Sequence, residues 1–325
     1  MLSTFSLVRT AARRKARVLA GSLVLAIAGG FPVHAETNPP EGRFAKGLLW
    51  RVSKAKVAPS YVFGTIHVAD PRVLDIPDPV SRALAGSKRY YAESFQGERE
   101  ALRFFEAGQF EDGRRLEPLI GAESYAKVAG MLHKRQVPDE VIARLKPWAA
   151  LANVTVTPED YESVTLDQKL ATLARARKLR VLGLEGVEEQ ISVFDRIPLD
   201  TQVALLKHAL DHQDELAAMI EPTIRAWMNR DLAGIHLASR RAPERYPEVA
   251  AHYRILFQRV VENRSIVMAH RLIVPLREGG AFVAVGANHL YGEDGMLALI
   301  EKQGYRVQSA YRRRPARRPD GRIAA

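Results

Sequence analysis

The chain has no cysteine among its 325 residues. That absence removes disulfides, thiolate metal ligands and a cysteine nucleophile together, so any bound metal must be held by His, Asp or Glu. Aromatic residues make up only 7%, and no basic stripe between Glu36 and Tyr311 is interleaved with stacking aromatics, which argues against nucleic acid as a partner. The patterns GxSxG, HExxH and GxxxxGK are also missing, which disfavours nucleophile-elbow serine hydrolases, zincins and P-loop enzymes. The apolar run Val18 to Ala28 falls short of the roughly 20 residues that a membrane-spanning helix needs.

That run does fit a leader. Arg9, Arg13, Arg14, Lys15 and Arg17 precede it and Val33-His34-Ala35 follows it, the order of a secretory signal over residues 1–35 with cleavage after Ala35. Arg13-Arg14 also allows a twin-arginine reading, and lipid attachment after the run is excluded for want of a cysteine. The expected location is therefore periplasmic or secreted. The formal net charge of +11 is concentrated at the two ends. Residues 312–325 carry Arg312, Arg313, Arg314, Arg317, Arg318 and Arg322 against Asp320 alone, and the body between leader and tail is near neutral. Such a tail reads as solvated and disordered, with weak contact to anionic envelope components as its candidate role. A polar linker at 36–43 and a single domain at 44–311 complete the division. From Glu36 on, about 290 residues suffice to bury a large core unaided.

Two short apolar runs, Gly47 to Val52 and Tyr61 to Gly64, flank a basic turn with Pro59 and predict a β-hairpin. A helix over Pro77 to Ala85 and a buried strand over Lys88 to Glu93 follow. Helical periodicity then dominates up to Arg277: Ser124 to His133, Asp139 to Leu145, Asp167 to Lys178, Leu199 to Leu216, Ala226 to Ala238 and Val249 to Arg277, interrupted by a strand at Arg180 to Leu184. The end repeats the beginning, with a strand at Ala281 to Val285, a turn at Gly286 to His289, a helix at Gly292 to Gln303 and a strand at Tyr305 to Ser309. The expectation is an α/β (α+β) fold: a central mixed sheet from two pseudo-symmetric β-GxxH-α-β units, joined by a large helical middle, with both turns at strand carboxyl ends, where open sheets bind ligands. Trp50 and Tyr61 are expected in the core.

Gly64-Thr65-Ile66-His67 and Gly286-Ala287-Asn288-His289 each place a histidine three residues after a glycine that can take a sharp, positive-φ turn. If the sheet brings the turns together, the imidazoles converge, with Glu93 at the end of the intervening strand as the third member. Two His and one carboxylate suit Zn, Mn, Co or Fe and leave open positions for water. The alternative is that each histidine is an ordinary hydrogen-bonded structural residue.

Longer stretches carry a resemblance. Phe63 to Val68 with Pro71 and Arg72, Gly183-Leu184-Glu185 with Glu189-Gln190, and Val283 to Leu290 with Gly292 and Gly295 resemble the TraB/GumN family, in its order, from Leu49-Trp50-Arg51 to Gly304-Tyr305-Arg306-Val307. That family is similar to the Tiki proteases, which are metal-dependent and cleave peptide bonds, and more distantly to erythromycin-esterase-like and ChaN-like proteins. The resemblance implies that His67 and His289 are metal ligands or catalytic residues, with Glu93 beside them. It implies a site role for Arg264, although Ser265 stands where the family has asparagine. Ser94 and Phe95 stand where relatives often have an aliphatic residue and an aspartate, and Thr165 replaces a glycine before the acidic Asp167. Asp167 reads as a helix N-cap. Glu185 is equally placed to cap the next helix or to enter the site as general base, and Arg264 equally placed to make a structural ion pair. The expected function is a cell-envelope metallohydrolase acting on a peptide or small-molecule substrate. Its rivals are a non-catalytic haem- or ligand-binding accessory protein and a metal-free esterase-like hydrolase using the same residues as acid and base.

Overall fold

The computed structural model describes residues 42–94, 97–156 and 163–311, with the backbone alone at 242 and 243. The expected leader, most of the linker and the arginine tail lie outside the described residues. Six strands form one mixed sheet: β1 (Leu49–Ser53), β2 (Ser60–Thr65), β3 (Arg89–Ser94), β4 (Arg180–Glu185), β5 (Ala281–Gly286) and β6 (Arg306–Ser309), in the order β4-β3-β5-β2-β1-β6. β1 runs antiparallel to both neighbours, while β2 pairs parallel with β5, and β3 pairs parallel with β5 and with β4.

The parallel centre is covered on both faces, which is why β5 reads Ala-Phe-Val-Ala-Val-Gly with every residue buried. Tyr90 stacks on Phe282 across neighbouring strands there, and Phe63 packs tilted against Phe282. The expected hairpin is β1–β2, and Trp50 is in the core. Tyr61 is only partly buried and packs on the core's margin. The two repeated units separate in opposite directions: the first returns past β5 to β3, and the second returns past β2 and β1 to β6 at the far edge.

A second core lies in the helical middle. Every residue of the Pro147–Val154 helix is buried, and Trp148 stacks on Phe194 with Phe104 packed edge-on against both. Among the described residues the middle differs from its periodicity in where helices break. Leu199 to Leu216 is split at His212 into Leu199–Asp211 and Gln213–Ala218. The helix expected at Ala226 to Ala238 straddles a turn between Ile220–Met228 and Leu232–Arg245. Val249 to Arg277 is Ala250–Phe257, a π-helical turn at Gln258–Glu262, then Asn263–Arg271 and Ile273–Glu278. In the π turn the Asn263 N–H reaches back to the Gln258 carbonyl. Such a wide turn shifts helix phase without breaking the apolar pattern, and it commonly marks a functional site.

Candidate active site at the carboxyl edge of the sheet

The β2–β5 register sets Thr65 beside Gly286. The histidine two residues beyond the first and the one three residues beyond the second therefore leave the sheet side by side. Neither glycine of the two turns uses a positive φ, contrary to the expected role: Gly286 has φ −53°, and Gly64 is absent from the positive-φ glycines. Closeness is what requires them. A Cβ on Gly64 would stand 3.0 Å from Leu290 Cδ1 and 3.3 Å from the Ala287 backbone, so glycine lets the second turn lie on the first. A Cβ on Gly286 would stand 3.3 Å from Glu93 Oε2, 3.4 Å from His67 Nε2 and 3.5 Å from His289 Cδ2. Its missing side chain leaves a gap walled by those three residues. The Trp227 indole donates to the Gly64 carbonyl at 2.9 Å and His236 Nδ1 lies 3.1 Å from the Asn288 carbonyl, so two helices hold the two turns from outside.

All five residues expected at the site come together: Glu93 from the end of β3, Glu185 from the end of β4, His67 and His289 from the turns, and Arg264 from the helix after the π turn, each buried. Glu93 is the centre. Its Oε2 accepts from the Gly286 N–H at 3.0 Å and stands 4.0 Å from His67 Nε2. Its Oε1 accepts from Arg264 Nη2 at 2.7 Å and stands 3.6 Å from His289 Nε2. Burial opposes the charge on Glu93, yet Arg264, then His289 and His67, hold its carboxyl well below the usual carboxylate range. Arg264 Nε donates to both oxygens of Glu185, at 2.9 and 3.2 Å. The cap of the next helix is Gly186, whose N–H donates to Glu189 Oε2 at 2.8 Å, so Glu185 is occupied by the arginine instead of a helix end.

Each imidazole is fixed through its Nδ1. His67 Nδ1 stands 2.8 Å from Asp167 Oδ2, and Thr65 donates its hydroxyl to Asp167 Oδ1 at 2.7 Å. Asp167 is not the expected N-cap: Thr165 caps that helix in a box with Gln168, and Asp167, the second residue of the helix, is left to grip the histidine. Burial alone would depress His67, but the Asp167 charge and hydrogen bond, with Glu93, outweigh it and lift the imidazole to about 9. His289 Nδ1 meets Ser265 Oγ at 3.0 Å and the Val261 carbonyl at 3.3 Å. Because the Ser265 hydroxyl donates its own proton to Val261, it can only accept from the imidazole. Both Nδ1 atoms thus act as donors, and both buried Nε2 atoms have no hydrogen-bond partner. Among the described residues, no three His, Asp or Glu side chains stand as a ready-made ligand set for a metal ion.

Thr65, Asp167 and Ser265 are the site residues that sequence reading misplaced or missed. Ser265 had signalled itself only as a departure from the family pattern.

The chain is similar to several known proteins. "Metalloprotease TIKI2" of Xenopus tropicalis is 26% identical over 80% of the chain, which spans 59% of that relative's length. "Metalloprotease TIKI1" of Homo sapiens is 25% identical over 88% of the chain and 65% of its own length. An "Uncharacterized protein YbaP" of Escherichia coli (strain K12) is 27% identical over 42% of the chain and 47% of its own length. No solved structure matches the chain. The TraB/PrgY/gumN family profile matches residues 48–309, from the last residue before β1 to the end of β6, and the chain belongs to that family.

Proposed function

We propose that the protein is a metal-dependent hydrolase of the cell envelope that cleaves peptide bonds, with His67, Glu93 and His289 holding a divalent ion, one of Mn, Co, Zn or Fe. The observation that carries this reading is the pair of buried, partnerless Nε2 atoms facing opposite oxygens of one carboxylate across the gap at Gly286. Nitrogen and oxygen donors of this kind suit those ions. Ligands bonded at about 2.1 Å in tetrahedral geometry lie about 3.4 Å apart. The separations of 3.6 and 4.0 Å, to different oxygens of Glu93, are longer than that, so an ion would have to draw the three side chains together. The TIKI relatives named as metalloproteases support the class of reaction.

When bound, the ion supplies a water of lowered pKa and polarises the substrate carbonyl. The chain's own residues prepare the site. Arg264 keeps Glu93 ionised, Glu185 anchors Arg264, and the Nδ1 contacts turn both Nε2 atoms toward the gap, where His67 must give up the proton it otherwise keeps in order to bind an ion. The leader expected at residues 1–35 supports an envelope location for this chemistry. The test is elemental analysis of the full-length chain purified without chelator, beside His67→Ala/His289→Ala, with cleavage of a peptide library measured in parallel. Near-stoichiometric metal that is lost in the variant, and cleavage that stops on chelation, are expected. Equal metal content in both proteins overturns the reading.

A second reading rests on the elevated His67 imidazole. A histidine held protonated by Asp167 at neutral pH is a general acid in waiting, and a metal-free hydrolase would use it so. Cleavage that survives thorough chelation but not Asp167→Asn selects this reading over the first.

A further inference from the structure

The candidate site lies at one edge of the sheet, and the opposite edge is basic. β2, β3, β4 and β5 run parallel, and β6 shares their direction because β1 is antiparallel to both β2 and β6. Five strands therefore begin at the edge away from the site, and residues 54–59, 82–89, 175–180, 277–280 and 303–306 lead into them. These segments hold eleven Lys and Arg residues against one acid, Glu278. Ten of the cations are exposed, and Arg89 is half-buried.

Helix ends explain only part of this charge. Arg82, Arg175 and Arg277 stand in the last turns of Asp78–Ala85, Leu166–Ala176 and Ile273–Glu278, where a cation complements the helix dipole. The other eight lie beyond the helices. Arg89, Arg180 and Arg306 open β3, β4 and β6, and Lys54, Lys56, Lys88, Arg177 and Lys178 occupy the turns before the strands. Arg89 and Arg180 are register partners, so two like charges leave one face of the sheet about 4.8 Å apart, an arrangement that costs stability. Lys178 has φ 59°, a left-handed position that favours glycine. Glu278 answers Arg89, and Asp78 answers Arg82 at 3.7 Å. Among the described residues the other nine have no such carboxylate partner.

We propose that this edge docks the protein on a bilayer of anionic phospholipid. The cations spread over the full width of the sheet, five strand spacings or about 24 Å, on long side chains that can follow a lipid surface. None of the large exposed apolar side chains lies in these segments, so they offer no buried anchor of the kind that dominates protein interfaces. Their one aromatic residue, Tyr305, is buried, so no ring is free to stack on a nucleic-acid base. Attraction between exposed cations and an anionic surface needs neither, and salt screens it. Docked this way, the protein holds its candidate site about one strand length, roughly 20 Å, off the lipid and facing away from it.

The test measures partitioning of the full-length chain onto vesicles of phosphatidylcholine alone and of phosphatidylcholine with phosphatidylglycerol, at low and physiological salt. One variant carries Lys88→Gln, Arg177→Gln, Lys178→Gly and Arg180→Gln. A control removes the same charge elsewhere, by Arg99→Gln, Lys134→Gln, Lys207→Gln and Arg254→Gln, all exposed and outside these segments. Every protein keeps the same leader and tail, so differences report the folded domain. Each Lys or Arg near an anionic surface contributes about fivefold in binding. The edge variant should therefore partition about a hundredfold or more weaker onto the anionic vesicles, the control should stay near the wild type, and added salt should narrow the gap. Lys178→Gly alone should weaken partitioning about fivefold without lowering the urea midpoint, because glycine suits that backbone. Unchanged partitioning in the edge variant, or equal losses in edge variant and control, overturns the proposal. Binding to polyglutamate without binding to the anionic vesicles overturns it in favour of an acidic protein partner.

Discussion

The two histidine turns reach the same end by different physics. His67 is held by a charge: Asp167 grips its Nδ1 and raises the imidazole to about 9. His289, fully buried, is held by two neutral oxygens, the Ser265 hydroxyl and the Val261 carbonyl. A carboxylate partner suits the more accessible turn, because the Asp167 side chain keeps 23% of its surface in water and so pays a smaller desolvation cost. At the deeper turn the polar partners are uncharged and satisfied within one helix turn. One imidazole is therefore an electrostatic device and the other a steric and dipolar one, although both present Nε2 to Glu93.

What the two turns share should matter most to stability. Arg264 forms ion pairs with Glu93 and Glu185 at once, all three buried. Removing one partner of a buried ionic group leaves its charges uncompensated, at a cost of about 3–5 kcal/mol. Arg264→Ala should lower the urea-unfolding free energy by that amount and erase the distinction between the turns, since both face the same stranded carboxylate. A loss under about 1 kcal/mol would mean that water reaches the cluster and that burial does not govern it.

Asp167→Asn separates them. It keeps the hydrogen bond to His67 in shape and removes the charge, so the imidazole should fall from about 9 toward its ordinary value. Without metal, folded His67 keeps its proton up to about 9 while an unfolded histidine loses it near 6.5. The folded state binds more protons between those values. Its contribution is thus complete below about pH 6.5 and is lost as pH rises through 9. Urea midpoints measured in chelator should fall over that window in the wild type and much less in Asp167→Asn. Loss of an outer partner typically costs about 10- to 100-fold in metal affinity, and Asp167→Asn should show it. An unchanged pH slope would place the His67 proton elsewhere.

How far the site was legible in the sequence follows the same division. Glu93, His67 and His289 were readable because each ends a strand within a repeated pattern, and parallel pairing of β2 with β5 brings such ends together. Asp167 was misread because its hydrogen bond reaches 100 residues back along the chain, while a local rule for helix starts offered a sufficient explanation. Thr165 takes that local role. The contribution of the π turn was hidden for another reason: widening a helix by one residue keeps its apolar pattern plausible, so Val249 to Arg277 read as one helix, and the acceptor carbonyl of Val261 had no sequence signal. The fold was more legible than the site. Strands carry their own composition, whereas the helix breaks at His212 and at Asn229 to Asp231 carry no proline or glycine to mark them in the sequence.

Ser265→Ala tests the neutral side and should do less than Asp167→Asn. The Val261 carbonyl still accepts from His289 after the hydroxyl is gone, so only one neutral hydrogen bond is lost, about 1 kcal/mol. Metal content and peptide cleavage should fall only slightly. If Ser265→Ala matches Asp167→Asn in either assay, the charge on the first turn is incidental and the two turns are equivalent.

The smallest change in fold should come from Gly286→Ala, and it is the most specific probe of the gap between the turns. At φ −53° an alanine is unstrained. Replacing glycine at a compatible position stabilises by about 0.4–1 kcal/mol through the unfolded chain, which offsets the tight contacts of 3.3 to 3.5 Å that the new methyl meets. Those contacts are with Glu93, His67 and His289 together, so the methyl occupies the one space that both imidazoles address, whichever physics holds them. The unfolding midpoint should move little while metal binding and cleavage are lost. Retained function with an unchanged midpoint would mean that the reacting groups meet outside this gap, and the convergence of the two Nε2 atoms on Glu93 would then be a feature of packing alone.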